Sequence, residues 1–142
     1  MTKRGFTLLE LMIVISIIIV VGAFTIPVGI KFFQSQALED TTDSIVETLR
    51  RARNQAVFQK NDSSFGVKFA STSFTLFQGD TYTSRDTQED EVFDLVSGVN
   101  TNGIDEIVFS RIFGTTTADT LDITLDDNSR SIDINIQGKV EK

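Results

Sequence analysis

Twenty consecutive residues without a charge, Leu11 to Ile30, follow a short basic start, and no other feature restricts the fold of this chain as much. As a helix rising about 1.5 Å per residue, such a run reaches roughly 30 Å, the thickness of a bilayer core. The sequence therefore predicts a membrane-spanning helix. Lys3 and Arg4 precede it, and basic residues stay on the cytoplasmic side, so the N-terminus is expected inside and residues beyond Lys31 outside. An ordinary secretory signal has a shorter apolar core followed by a small-x-small cleavage site. Here the nearest such site, Ala23-Phe24-Thr25, lies inside the run. A plain anchor, in turn, gives no reason for Glu10 at the head of the apolar stretch, four residues after Phe6.

The segment Lys3-Arg4-Gly5-Phe6-Thr7-Leu8-Leu9-Glu10 resembles the processing site of type IV prepilins and type II secretion pseudopilins. The resemblance implies that a membrane-embedded prepilin peptidase cuts between Gly5 and Phe6 and then N-methylates the new N-terminus at Phe6. It implies further that the apolar helix remains as membrane anchor and filament core, that Glu10 serves assembly, and that Pro27 matches a proline bending the family's long helix. Independent physical arguments accompany these roles. Gly5 has no side chain to obstruct an extended backbone in a protease cleft. Glu10 among Phe6, Leu8, Leu9 and Leu11 is a carboxylate in apolar surroundings, costly unless paired, and the freed amine of Phe6 is the natural cation. An interior proline such as Pro27 removes a helix hydrogen bond.

After Ile30 the pattern turns amphipathic. Leu38, Thr42, Ile45, Leu49, Ala52 and Ala56 recur at steps of three and four, widened by Val46 and Val57, which predicts a buried helix stripe. One helix is expected from about Thr7 to Gln59, with Glu47 paired to Arg51 on its surface and the polar cluster Lys60-Asn61-Asp62-Ser63 ending it. From Ser64 the period becomes two. Phe65 to Phe69 and Phe74 to Gln78 read as a hairpin, with further strands at 91–96, 106–111, 121–125 and 131–136. In the last pair Leu121, Ile123 and Leu125 are expected opposite Ile132, Ile134 and Ile136. The apolar strand faces need cover, and the helix stripe supplies it. The fold class expected is α+β: a pilin-like long N-terminal helix, half transmembrane and half amphipathic, packed on antiparallel β-sheet. Its layout, with Leu49-x-x-Ala52-Arg53-x-x-Ala56 and a late Gly138, is similar to GspH/FimT-type minor pseudopilins. The domains expected are a leader, 1–5, a transmembrane and filament-core helix, 6–30, and an extracytoplasmic domain, 31–142.

The chain contains no cysteine and no histidine. Disulfides and thiolate metal sites are thereby excluded, and the commonest general base is missing. No catalytic residue, cofactor or metal is expected. The acids Asp86, Glu89, Asp90, Glu91 and Asp94, and the run Asp126-Asp127-Asn128, lack the loop spacing of a calcium site. Net charge is -7, and Arg50-Arg51-Ala52-Arg53 reads as a solvated helix face, so nucleic acid is not an expected partner. The expected partners are a prepilin peptidase/methyltransferase, other pilin or pseudopilin subunits, an inner-membrane assembly platform and the membrane. The function expected is that of a structural subunit of a type IV pilus-like or type II secretion filament. The other readings are a membrane-anchored binding module and an adhesive or DNA-binding minor pilin.

Overall fold

The structure, a computed structural model, describes residues 5–142, leaving aside the side chains of 24–28. The Leu8–Val57 helix, α1, contains 50 residues. The chain divides into two units, Met1–Ser35 and Gln36–Lys142, each taken by itself below.

In the first unit α1 is apolar on every side. Leu8 to Val21 present side chains 46 to 78% exposed at all the large apolar positions. Ser16, polar within this stretch, turns its hydroxyl back to the carbonyl of Met12 at 2.7 Å, which removes the need for an outside partner. Among the described residues no helix is long and apolar enough to cross a membrane. The span expected at Leu11 to Ile30, and with it the bend at Pro27, falls partly on side chains outside the described ones.

In the second unit the end of α1 is amphipathic as its spacing predicts. Leu38, Thr42, Ile45, Leu49, Ala52 and Ala56 are fully buried and Val46 nearly so. Thr42 is tolerated there because its hydroxyl donates to the carbonyl of Leu38 at 2.7 Å, and Thr41 and Thr48 do the same one turn back. The helix ends at Val57 rather than Gln59. Gln59 takes a left-handed conformation (φ 53°), and Asn61 and Asp62 follow with φ of 52° and 54°, so the expected polar cluster does turn the chain.

Eight strands follow: β1 Phe65–Phe69, β2 Ser73–Gln78, β3 Asp86–Asp94, β4 Val99–Asn102, β5 Glu106–Phe109, β6 Asp119–Leu125, β7 Asn128–Ile134 and β8 Val140–Glu141. They form two four-stranded sheets, ordered β3-β2-β1-β5 and β4-β6-β7-β8, with antiparallel pairing throughout. The chain passes from one sheet to the other before β4, again before β5 and again before β6. One apolar cluster joins the α1 stripe to residues of both sheets, among them Phe65, Val67, Phe74, Leu76, Ile107 and Phe109 from the first and Val99, Leu121, Ile123, Ile132 and Ile134 from the second.

The expected β1–β2 hairpin forms, with Phe69 opposite Phe74. Gly66 lies where a Cβ would stand 2.7 Å from the carbonyl oxygen of Ile107 and against the Phe77 ring, so two neighbours occupy the space a side chain needs. Four expectations need correction. β5 ends at Phe109, two residues before the expected 111. β3 begins at Asp86, five residues early, because its first half is an acidic edge strand rather than an alternating apolar one. β7 begins at Asn128, because the β6–β7 turn closes on Asp126 and Asp127 alone, with Asp126 at φ 51°. Leu121 faces Ile132, but Ile123 faces Arg130, and Ile136 lies beyond the strand and is exposed.

Candidate functional site

The residues singled out at the N-terminus sit together where α1 begins. Gly5, Phe6 and Thr7 are outside the helix. A Cβ added at Gly5 would meet nothing within 4 Å, so no packing among the described residues asks for glycine there. Phe6 is 85% exposed. Thr7 is the N-cap: its Oγ1 accepts the amide hydrogen of Glu10 at 3.2 Å, and its carbonyl accepts the amide of Leu11 at 3.2 Å. Reasoning from the sequence missed this residue, although Thr7-x-x-Glu10 is the spacing of a capping box. Half of that box forms: the Glu10 amide is held, and among the described residues the Thr7 amide does not donate to the Glu10 carboxylate. The exposed carboxylate stands in the first turn of α1, where the positive end of the helix dipole favours it. The helix thus gives Glu10 a local stabilisation and leaves both carboxylate oxygens for other partners.

Beyond Glu10 the apolar side chains from Leu11 to Val21 lie bare. Gly22 and Gly29 have open space where a Cβ would be, so a second helix can approach the backbone there.

The arginine cluster in the second half of α1 is solvated as expected at Arg50 and Arg51, and it also ties the helix to other parts of the fold. Arg50 donates to the carbonyl of Val140 at 3.1 Å and Arg53 to that of Gln137 at 3.2 Å, so both tie the C-terminal segment to the helix. Gly114 and Gly138 close around Arg53, each lying where a Cβ would press on its side chain. Arg51 pairs with Glu91 of β3 instead of Glu47. The acids of β3 are taken up similarly: Glu89 by Lys60 at 3.0 Å, and Asp90 by Arg85, whose guanidinium also stacks 3.7 Å from the Tyr82 ring. Among the described residues no group of three or more such ligands gathers to hold a metal ion.

Lys142 and Arg130 grip the other end of the buried part of α1. Lys142 bonds to Glu39 and to Asp43, and Arg130 reaches Glu39 at 3.2 Å. The hydrogen bonds from Lys142 and then Arg130 hold the Glu39 carboxyl below its usual pKa, and those to Asp43 and Glu39 raise that of Lys142. Because the folded pKa of Glu39 is depressed, its contribution is present above the ordinary carboxylate pKa and is lost as pH falls through the lower folded value. The Lys142 contribution is present below the ordinary ammonium pKa and is lost as pH rises through the higher folded one. Thermal unfolding at about pH 7 and about pH 3 is expected to show a smaller acid loss for a Lys142→Met/Arg130→Met double variant than for the parent. An equal loss in both rules the clasp out as a source of the acid sensitivity.

Residues 1–26 match the family model described as the prokaryotic N-terminal methylation motif. No curated protein matches the chain. Among solved structures, the minor pseudopilin EpsH from the type 2 secretion system of Vibrio cholerae superposes with a TM-score of 0.56 at 15% identity, over 72% of this chain and 93% of that one. At that identity the likeness establishes the fold, and the motif adds the N-terminus. The chain thus carries a prokaryotic N-terminal methylation motif and has an α+β fold like that of a minor pseudopilin.

Proposed function

We propose that this chain is a structural subunit of a type IV pilus-like or type II secretion filament, of the minor kind, made as a precursor and assembled through α1. The observation that carries the reading is the apolar helix left uncovered on all sides within the matched motif. A helix apolar all round is stable only where lipid or other helices surround it. A subunit held in the cytoplasmic membrane and later transferred into a filament meets both surroundings in turn. In the proposed topology the N-terminus is inside, a single span includes Leu11 to Ile30, and residues 31–142 are periplasmic or extracellular. Prepilin peptidase removes residues 1–5 and methylates Phe6, and an inner-membrane assembly platform with other pilin or pseudopilin subunits then receives the product. The open space at Gly5 supports this, since the demand for a glycine then comes from the peptidase rather than from the fold.

Glu10 is proposed to meet the amine of Phe6 on a neighbouring subunit. Two charges that are each costly in apolar surroundings then neutralise one another. The expected result for Glu10→Val is normal shortening by the peptidase together with a loss of filament entry of roughly tenfold or more, since an unpaired buried charge costs several kcal/mol. Entry at the parent rate would show that Glu10 acts only within its own helix. Coexpression with a prepilin peptidase tests the reading as a whole. The product is expected to lose five residues and to gain a methyl group on Phe6 by mass spectrometry, and an intact precursor overturns it.

A further inference from the structure

The peptide bond proposed for cleavage lies two residues ahead of α1, and the hydrogen bonding at Thr7 decides that separation. In an α-helix each amide is bonded to a carbonyl four residues back, so a bond inside the helix has its polar groups already occupied. Proteins that take up a peptide segment by its main chain need it extended, with those groups free. The first carbonyl of the chain used by α1 is that of Thr7, through Leu11. The carbonyls of Gly5 and Phe6 accept no amide among the described residues. Thr7 Oγ1 satisfies the Glu10 amide, which would otherwise find its partner in the Phe6 carbonyl by adding one more residue to the helix. The leucines that follow are strong helix formers, so without the cap the helix has reason to grow toward the cut.

We propose that Thr7 is a positioning residue for the hydrolysis between Gly5 and Phe6: by capping α1 it fixes the helix start at Leu8 and keeps the scissile bond outside the helix, where a cleft can take it up by its main chain. In that step one water is consumed, the bond from the Gly5 carbonyl carbon to the Phe6 nitrogen breaks, the carboxylate stays on the leader and the amine on Phe6. Thr7 touches none of these atoms. The same hydrogen bond holds the Glu10 amide, so the cap also sets how far the new amine stands from the Glu10 carboxylate on the mature chain. The inference rests on the processing reading above.

The test is a time course of shortening of the full chain coexpressed in membranes with a prepilin peptidase, followed by mass spectrometry. Thr7→Val keeps the shape of threonine and removes the acceptor. Thr7→Ser and Thr7→Asn change the shape and keep an N-cap oxygen. The valine variant is expected to be cut about fivefold more slowly, as a lost cap implies, with serine and asparagine near the parent rate. Because Thr7 is exposed and outside the globular unit, thermal unfolding of all three is expected to match the parent, which separates slow cutting from misfolding. Valine cut at the parent rate, or rates that follow side-chain size rather than capping ability, overturn the role of Thr7 while leaving processing intact. A parent chain that is never shortened overturns the processing reading and the role of Thr7 with it.

Discussion

Replacement of Gly5 by valine is expected to leave most of the chain at full length in the presence of a prepilin peptidase, with shortening slowed at least roughly tenfold. The effect belongs wholly to the encounter with the enzyme. Within the described residues a Cβ at Gly5 has nothing within 4 Å to strike, and a surface substitution of that kind changes stability by no more than about 0.5 kcal/mol. In a cleft that accepts an extended backbone, a branched side chain beside the scissile carbonyl meets the enzyme directly. Mass spectrometry of the product and a melting curve of the same preparation are the two measurements. Cutting at the parent rate shows that the peptidase does not require glycine here, and a lowered melting temperature shows that the fold does.

The largest expected loss of stability comes from Leu49→Ala. Leu49 is fully buried at the middle of the α1 stripe, in the cluster shared by both sheets. Truncation there removes the transfer free energy of the lost methyl groups and leaves a cavity, costing about 2–5 kcal/mol. Against a total of roughly 5–15 kcal/mol that is a large fraction, and it lowers the melting temperature by on the order of 10 °C. A melting temperature within a degree or two of the parent's would mean that the helix stripe is not the cover of the sheets. Ile17→Ala removes similar apolar atoms from a side chain 57% exposed, and is expected to leave unfolding unchanged while weakening incorporation into filaments. The two substitutions separate apolar surface that holds the domain together from apolar surface that joins subunits.

Much of the fold was legible because its strongest elements carry one clear period each. The α1 stripe from Leu38 to Ala56 repeats at three and four, and every member is buried. β6 alternates cleanly, and β1 and β2 keep Phe65, Val67, Phe69, Phe74 and Leu76 on the buried side although Gly66, Thr75 and Phe77 are buried as well. β4 and β8 were not legible: Val99-Asn100-Thr101-Asn102 and Val140-Glu141 are short and mostly polar, and edge strands of that kind are held by main-chain pairing that leaves little trace in side-chain pattern. The start of β3 was hidden for the opposite reason, since Asp86, Glu89 and Asp90 read as loop until Arg85 and Lys60 neutralise two of them. Without β4 and β8 the division into two sheets was out of reach. At the site, Gly5, Phe6 and Glu10 were legible as a motif. The capping signal of Thr7 overlaps that motif, since Thr7-x-x-Glu10 lies inside it. The ties made by Arg50 and Arg53 were not legible because their acceptors are main-chain carbonyls some ninety residues away, which no local pattern reports.

The three passages of the chain between the sheets bear on how the domain reaches its native state. β5 takes its place beside β1, with Phe109 opposite Phe65, only after the chain has visited the other sheet as β4, and β4 in turn waits for β6. Neither sheet is a unit that can be completed and set aside, so the domain is expected to unfold in a single transition and to refold on the millisecond-to-second scale of topologies rich in distant pairings. Until residues 106–109 pair with it, β1 presents an open edge, and in that interval the newly made chain is most vulnerable to proteolysis and to pairing with its own copies.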